Sequence, residues 1–274
     1  MYAEPILVVL AGVVGALLGS FLNVCVYRLP RNESVVRPRS RCPGCGTMIA
    51  WYDNVPIVSW LLLRARCRHC HARISVQYPL VEAAVALAWA GSVWYWSLTW
   101  DALSAAVLLT LLIGILLTDA QHFIIPDEFS LGGLGAGFAL SFLADRVSPL
   151  QSLLGAAAGF ALLWIVKAGG DWALRRGLIG GEEVQRTLGE EEPPSAMGDG
   201  DLKMMAMVGA FLGWQGVLAT AFLGALTGTL IYLPFLLRKT KPLVPFGVYL
   251  AMGAAAWLVL GDRLSAWYLG LLRP

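Results

Sequence analysis

The sequence predicts an all-α membrane protein of about eight transmembrane helices, with one small polar module between the first two. Apolar residues make up 58% of the 274 positions and charged residues only 14%, whereas roughly 25% of the residues in a soluble domain are charged. The mean hydropathy is +0.67. The 11 tryptophans also suit a membrane protein, because tryptophan is enriched at the bilayer interface.

The predicted helices are eight apolar segments in the order of the chain. They cover about residues 5–27, 79–98, 102–118, 129–145, 150–168, 203–214, 216–237 and 245–262. A helix needs about 20 apolar residues to cross a bilayer, so the sixth segment is short, and we expect Asp201 and Lys203 on its first turn. Gly133 and Gly137 lie four residues apart in the fourth segment. They predict close helix packing rather than a nucleotide-binding loop, because no strand precedes them.

The distribution of basic residues predicts the orientation. Of the 20 Lys and Arg residues, 17 lie between spans 1 and 2, 5 and 6, or 7 and 8, or at the span ends that border these segments, which share one side of the membrane. Only Arg146, Arg263 and Arg273 lie on the other side. Positive residues favour the cytoplasm, so we expect a multi-pass membrane protein with both termini outside the cytoplasm.

Residues 29–78 form the one segment with a soluble composition, and they hold four of the five cysteines. Two CxxC pairs, separated by 21 residues, supply these cysteines: Cys42, Cys45, Cys67 and Cys70. Two such pairs are typical of a closed tetrahedral zinc site, which is structural because it leaves no position for water or substrate. The alternative is two disulfides or free thiols, and a cytoplasmic location disfavours the disulfides.

Two aspartates mark the cytoplasmic ends of predicted helices. Asp119 ends the third apolar segment, and Pro126 predicts a break before Asp127 and the fourth segment. Ionisable groups at membrane depth are costly and therefore indicate a functional site. For Asp127, the alternatives are support of this turn and helix capping, and capping is also the alternative to catalysis for Asp119.

The second aspartate, Asp201, lies in a glycine-rich motif before the sixth segment. The motif consists of Gly198, Asp199, Gly200, Asp201 and Lys203, with Leu202 between the last two. Glycines allow the backbone to bend and a peptide to approach. Two carboxylates that meet can share a proton, so that one serves as a base and the other as an acid. Helix capping by an aspartate remains the alternative for Asp201 taken alone.

The acidic run Glu190–Glu192 lies in the long loop before this motif. It could attract a basic peptide, and the alternative is a solvated linker. Other hydrolytic systems lack their motifs, since the sequence contains neither HExxH nor GxSxG.

Several separated motifs together resemble the type IV prepilin peptidases, which are membrane aspartic proteases of the GxGD type. The motifs that carry the resemblance are Gly19-Ser20-Phe21-Leu22-Asn23, Tyr27-Arg28-Leu29-Pro30, the two CxxC pairs, Tyr52-Asp53-Asn54-Val55-Pro56, Ser59-Trp60-Leu61, Tyr78-Pro79-Leu80-Val81-Glu82, Asp119, Ile125-Pro126-Asp127 and Gly198-Asp199-Gly200-Asp201-Leu202-Lys203.

The resemblance implies a catalytic pair of Asp119 and Asp201, with Asp127 and Asp199 as neighbours. It implies removal of the basic leader from prepilins or pseudopilins at the cytoplasmic membrane face. It also implies methylation of the new N-terminus from S-adenosylmethionine, for which the sequence gives no binding residues. The expected partners are these substrates and the lipid membrane, with no nucleic acid.

The expected domains are a first transmembrane helix (1–28), the zinc-binding module (29–78) and a transmembrane peptidase domain (79–274). Two other classes of function stay open. In an ion-coupled transporter the aspartates would bind ions, and a non-catalytic assembly scaffold would bind prepilins without cutting them.

Overall fold

The computed structural model describes residues 4–178, 195–237 and 245–271. Within these residues the regular structure is helical, apart from two isolated β-bridges in the cysteine-containing segment. Eight α-helices occur there: α1 (Pro5–Arg28), α2 (Val58–Leu62), α3 (Gln77–Trp96), α4 (Trp100–His122), α5 (Asp127–Leu140), α6 (Pro149–Arg175), α7 (Asp199–Leu237) and α8 (Phe246–Leu271). Short 3₁₀ turns span Leu29–Arg31 and Trp51–Asn54.

Within the described residues, four stretches are long and apolar enough to cross a membrane, so the chain is a multi-pass membrane protein. They are Pro5–Arg31, Trp100–His122, Pro149–Arg175 and Asp199–Leu233. The all-helical prediction is therefore confirmed. The predicted fourth segment ends earlier than expected, since α5 stops at Leu140, where the Ser141 hydroxyl donates a hydrogen bond to the Phe138 carbonyl.

The chain divides into two compact units. The first unit consists of Met1–Pro126 and Leu143–Arg146 and is built on α1, α3 and α4. Helices α1 and α3 approach closely because Gly15 and Gly19 leave room for the α3 backbone. A Cβ at either glycine would lie 2.7 Å from an α3 backbone atom, at Val85 or Glu82 respectively. Small residues permit this kind of contact between membrane helices.

The second unit consists of Asp127–Phe142 and Val147–Pro274, and α7 is its central helix, in contact with α5, α6 and α8. Its contacts again depend on glycine. The backbones of Gly155 in α6 and Gly209 in α7 meet so closely that a Cβ on either would overlap the other helix. In α5, Gly137 packs against the Phe211 ring of α7, as the four-residue glycine spacing predicts.

A single helix, α7, covers the two segments that were predicted as separate helices, 203–214 and 216–237. Gly213 breaks its helical geometry, with φ 69° and ψ −179°. A side chain disfavours that conformation, so glycine is the residue that permits the break. The predicted boundary was therefore close to the break, and Gly213 is its structural cause.

Candidate active site and metal centre

The four paired cysteines lie on two tight turns of equal construction. In the first turn the Cys42 N–H donates to the Thr47 carbonyl (2.9 Å), and in the second the Cys67 N–H donates to the Ala72 carbonyl (2.9 Å). Each turn carries one residue with positive φ, Gly46 in the first and His71 in the second. We call these two turns the first and second knuckle.

The two knuckles share one register, 25 residues apart along the chain. The β-bridge Arg41–Met48 in the first corresponds to Arg66–Arg73 in the second. The flanking hydrogen bonds correspond as well, from the Ile49 N–H to Ser40 and from the Ile74 N–H to Ala65. Their lengths are 2.9 and 2.8 Å. The chain thus presents two equivalent pairs of thiols.

The four sulfur atoms of Cys42, Cys45, Cys67 and Cys70 lie within 4.8 Å of one another, and all four thiols are free. The Sγ atoms of Cys42 and Cys70 are 3.7 Å apart, too far for a disulfide bond. Zn–S bonds of about 2.3 Å in a tetrahedron place the sulfurs about 3.8 Å apart. The cluster therefore fits a zinc ion.

The surroundings of the sulfurs lower the pKa of two of the thiols, whereas desolvation and the neighbouring thiols raise the pKa of Cys70 to about 11. Contacts with the side chain and backbone N–H of Thr47 lower the pKa of Cys45 to about 6. The backbone N–H groups of Cys70 and His69 lower the pKa of Cys67. Thiolates are the form that binds metal.

Polar contacts link parts of the cysteine module to each other and to α3. Asp53 accepts two hydrogen bonds from Arg68, at 2.8 and 2.5 Å, and Arg68 thereby lowers the pKa of the Asp53 carboxyl. The buried Glu82 of α3 accepts a 2.7 Å hydrogen bond from the Ile57 N–H. The sequence motifs around Asp53 and Glu82 thus include residues that hold the module in place.

Asp119 lies in the last turn of α4, as the sequence predicts, and is 6% exposed. The helix ends at Phe123, which adopts φ 55° and donates its N–H to the Asp119 carbonyl at 2.9 Å. The preceding Thr118 is fully buried. An irregular stretch up to the buried Pro126 then leads to α5, so the predicted break between Asp119 and Asp127 is present.

Asp201 lies in the first turn of α7 and is 9% exposed. A Cβ placed on Gly198 would lie 3.8 Å from Asp201 Oδ2, so the glycine borders the carboxylate. The next turn of α7 is fully buried and includes Met204 and Met205. The Asp201 carboxylate therefore sits at the boundary between an apolar helix core and the glycine-rich turn.

Ion pairs fix the start of α7 within its unit. Lys203 donates to both carboxylate oxygens of Asp127, at 2.6 and 2.9 Å. Asp199 pairs with Lys167 of α6. These contacts were not predicted, because the partners are distant in sequence and each also suits a solvated helix end. The acidic run 190–192 lies outside the described residues.

Two protein-family models match successive parts of the chain. The model described as the Bacterial Peptidase A24 N-terminal domain matches residues 13–96, and the Type IV leader peptidase family model matches residues 106–233. The first range includes the four clustered cysteines, and the second includes Asp119 and Asp201.

Individual relatives match most of the chain. A protein of Aeromonas hydrophila is 34% identical, with 92% of this chain and 90% of the relative covered. A protein of Pseudomonas aeruginosa is 33% identical, with 97% and 95% covered. One of Myxococcus xanthus is 37% identical, with 88% of this chain and 66% of the relative covered. All three are named prepilin leader peptidase/N-methyltransferase.

The chain belongs to the prepilin leader peptidase/N-methyltransferase family. Its family resemblance, which rested on separated motifs, is thereby confirmed, and so is its classification as an aspartic peptidase of that family. No solved structure matches the chain significantly.

Proposed function

We propose that this chain removes the basic leader peptide from type IV prepilins or pseudopilins at the cytoplasmic face of the bacterial inner membrane. The main support is the match to prepilin leader peptidases along nearly the whole chain. The two candidate carboxylates agree with it. Asp119 and Asp201 are each almost buried at a helix end, where a protein without a use for them would place an apolar or neutral residue.

Hydrolysis would proceed through Asp119 and Asp201 as a coupled pair. One carboxylate removes a proton from water, and the water oxygen attacks the carbonyl carbon of the scissile peptide. The other carboxyl group donates its proton to the leaving amine. Because two interacting carboxyls titrate as a pair, neither role is assigned to one residue.

Two further residues of the glycine-rich motif act as supports in this proposal. Lys203 neutralises Asp127, and Lys167 neutralises Asp199. Both ion pairs hold the first turn of α7, where Asp201 lies. Gly198 borders the Asp201 carboxylate, and the absence of a side chain there would allow an extended peptide to approach it.

We also propose that all eight predicted segments span the membrane. Helices α3, α5 and α8 and both halves of α7 would then lie in the bilayer. The domain division remains residues 1–28, 29–78 and 79–274, with the zinc ion held by the four clustered cysteines in a structural role. The last turn of α4, with Asp119, and the first turn of α7, with Asp201, would face the cytoplasm.

The family name implies S-adenosylmethionine as a methyl donor. The cavity on the cysteine module does not fit this donor, since the guanidinium groups of Arg64 and Arg66 line it and would repel the sulfonium cation. We therefore assign residues to peptide hydrolysis and none to methyl transfer.

Cleavage of a co-expressed prepilin, followed by mass spectrometry of its N-terminus, tests the function. We expect Asp119→Asn and Asp201→Asn each to lower the rate at least about a thousandfold, and the double variant to lower it little further, since a dyad acts as one unit. Asp127→Asn serves as the control, because it removes a carboxylate next to the site and should retain measurable cleavage. Near-normal cleavage by either dyad variant, with intact membrane insertion, would disprove the assignment.

A further inference from the structure

A cavity of about 550 Å³ opens on the cysteine module beside the second knuckle. Its lining includes Arg64, Arg66, Arg68 and His71, and no acidic residue among the described ones. Asp53 neutralises Arg68, whereas no carboxylate pairs with Arg64 or Arg66 in the part of the chain that the structure describes. The cavity therefore offers at least two uncompensated guanidinium groups to a ligand.

The charge of this cavity decides which ligands it can accept. A basic leader peptide would be repelled by Arg64 and Arg66. Guanidinium groups bind phosphate well, because their planar set of N–H donors matches its oxygens. A phosphate-bearing anion is thus the ligand whose chemistry fits the lining.

Apolar side chains next to the arginines favour a phospholipid over a free phosphate as the ligand. Leu62 lines the cavity and is 78% exposed, and its neighbour Leu61 is 61% exposed. Large apolar side chains beside clustered cations are typical of surfaces that bind anionic membranes. A free phosphate would use the arginines and leave these leucines in water.

The attachment of the module places this surface close to lipid. The module begins where α1, a candidate membrane span, ends, and it leads directly into α3. The facing ends of the two helices are joined by a 3.1 Å hydrogen bond from Asn23 Nδ2 to the Tyr78 carbonyl. The module is therefore held at a membrane surface rather than on a long tether.

We propose that the cavity binds the headgroup phosphate of an anionic phospholipid through Arg64 and Arg66, with Leu61 and Leu62 against its acyl chains. The site is independent of the proposed peptidase chemistry, since none of these residues belongs to the candidate dyad. It would fix the module on the inner leaflet of the membrane.

Lipid titration of the purified full-length, zinc-loaded protein in detergent, followed by native mass spectrometry, tests this site. The probes are phosphatidylglycerol, phosphatidylcholine with the same acyl chains, and inorganic phosphate. We expect phosphatidylglycerol to bind in preference to phosphatidylcholine. Arg64→Gln/Arg66→Gln should weaken phosphatidylglycerol binding about thirtyfold, since each basic residue near an anionic surface contributes about 1 kcal/mol.

Arg37→Gln/Arg39→Gln is the matched control. It removes the same charge from exposed residues of the same module that do not line the cavity, and it should leave the preference intact. Arg64→Lys/Arg66→Lys, which keeps the charge but not the planar donor set, should weaken binding less than the Gln variant does. Its binding would show that substitution at these positions does not unfold the module. Equal weakening by the control, unchanged binding in the Gln variant, or saturation by inorganic phosphate at the same concentration as the lipid would each overturn the proposal.

Discussion

Single polar side chains at the ends of α1 and α3 hold the cysteine module by its backbone. The buried Arg28 donates to the carbonyls of Ser34 and Pro38, both at 2.8 Å. Glu82 accepts from the N–H of Ile57, a β-branched residue with φ 61° and ψ −51°. That backbone conformation is strained for such a residue, so the hydrogen bond to Glu82 helps to maintain it.

The sequence does not predict these contacts, although Arg28 and Glu82 belong to the motifs that carry the family resemblance. Glu82 lies in an apolar stretch and contacts a loop 25 residues earlier, and nothing local in the sequence indicates that pairing. The strained conformation of Ile57 was also unpredictable, because residue type argues against positive φ there. By contrast, the positions of Asp119 and Asp201 at helix ends were predictable, since a carboxylate at the end of an apolar run is visible without any knowledge of packing.

The Asp53–Arg68 pair leads to a prediction about metal retention. Asp53→Asn should accelerate zinc loss to a chelator, because Arg68 lies between two zinc ligands and loses its partner. Arg68 lowers the pKa of Asp53. The stabilisation of the module by this ion pair is therefore fully present above the unfolded-state pKa of about 4. It should persist from pH 8 to pH 5 and disappear only as the pH falls through the lower folded-state pKa.

Chelator-induced zinc release, followed with a colorimetric zinc indicator, measures this effect. Glu33→Gln is the control, since it removes one exposed carboxylate from the same module. Identical release rates for Asp53→Asn and wild type at pH 7 would contradict the role given to the ion pair.

Among the elements, the contact of α6 with α7 depends on the absence of side chains. A Cβ on Gly155 or Gly159 would overlap backbone atoms of α7, at Gly209 and Met205 respectively. Backbone atoms cannot move aside as a flexible side chain can, so the two helices would have to separate. Glycine spacing in the sequence predicts close packing, but it does not reveal which helix is the neighbour.

Gly155→Ala should therefore lower the thermal stability of the second unit. Gly135→Ala is the matched control, because the space around this α5 glycine is open. Alanine is favoured over glycine in a helix by about 1 kcal/mol, so the control should be neutral or slightly stabilising. Thermal unfolding in detergent, followed by circular dichroism, distinguishes the two, and equal midpoints would contradict the packing argument.

The two knuckles lead to a prediction about metal content. Elemental analysis of the purified protein should find about one zinc per chain, bound by four thiolates. Cys67→Ser should reduce this content and loosen the module, while effects on cleavage would be indirect. Zinc affinity should fall on acidification, because protons compete for the thiolates. A metal-free protein with two disulfides and full activity would refute the zinc site.

For the whole molecule, the sequence predicted the helical architecture because apolar segments are directly visible in it. Six of the predicted segments correspond to separate helices, with ends shifted by at most nine residues, for example Gln77–Trp96 against 79–98. Less was predictable where a helix continues through a break. Gly213 interrupts α7 without ending it, and hydropathy does not distinguish this from two separate helices.

The orientation of the whole chain is tested by thiol labelling in intact cells. A cysteine at Ser195, before α7, should react with an impermeant thiol reagent only after lysis, because 17 of the 20 basic residues lie on its side. A cysteine at Asp145, on the opposite side, should react in intact cells. Both changes belong in a Cys25→Ala background with zinc present, to protect the other four cysteines. Reversed labelling would overturn the orientation.

The equal register of the two knuckles means that one metal ion would act as a reversible cross-link. Binding would join Cys42 and Cys45 to Cys67 and Cys70, and so would close the 21-residue segment between the pairs into a loop. Closing a loop of this length removes entropy from the unfolded chain equivalent to about 3 kcal/mol. The metal would stabilise the folded chain as a disulfide does, but no oxidant would be needed. The cross-link would open whenever free zinc became scarce.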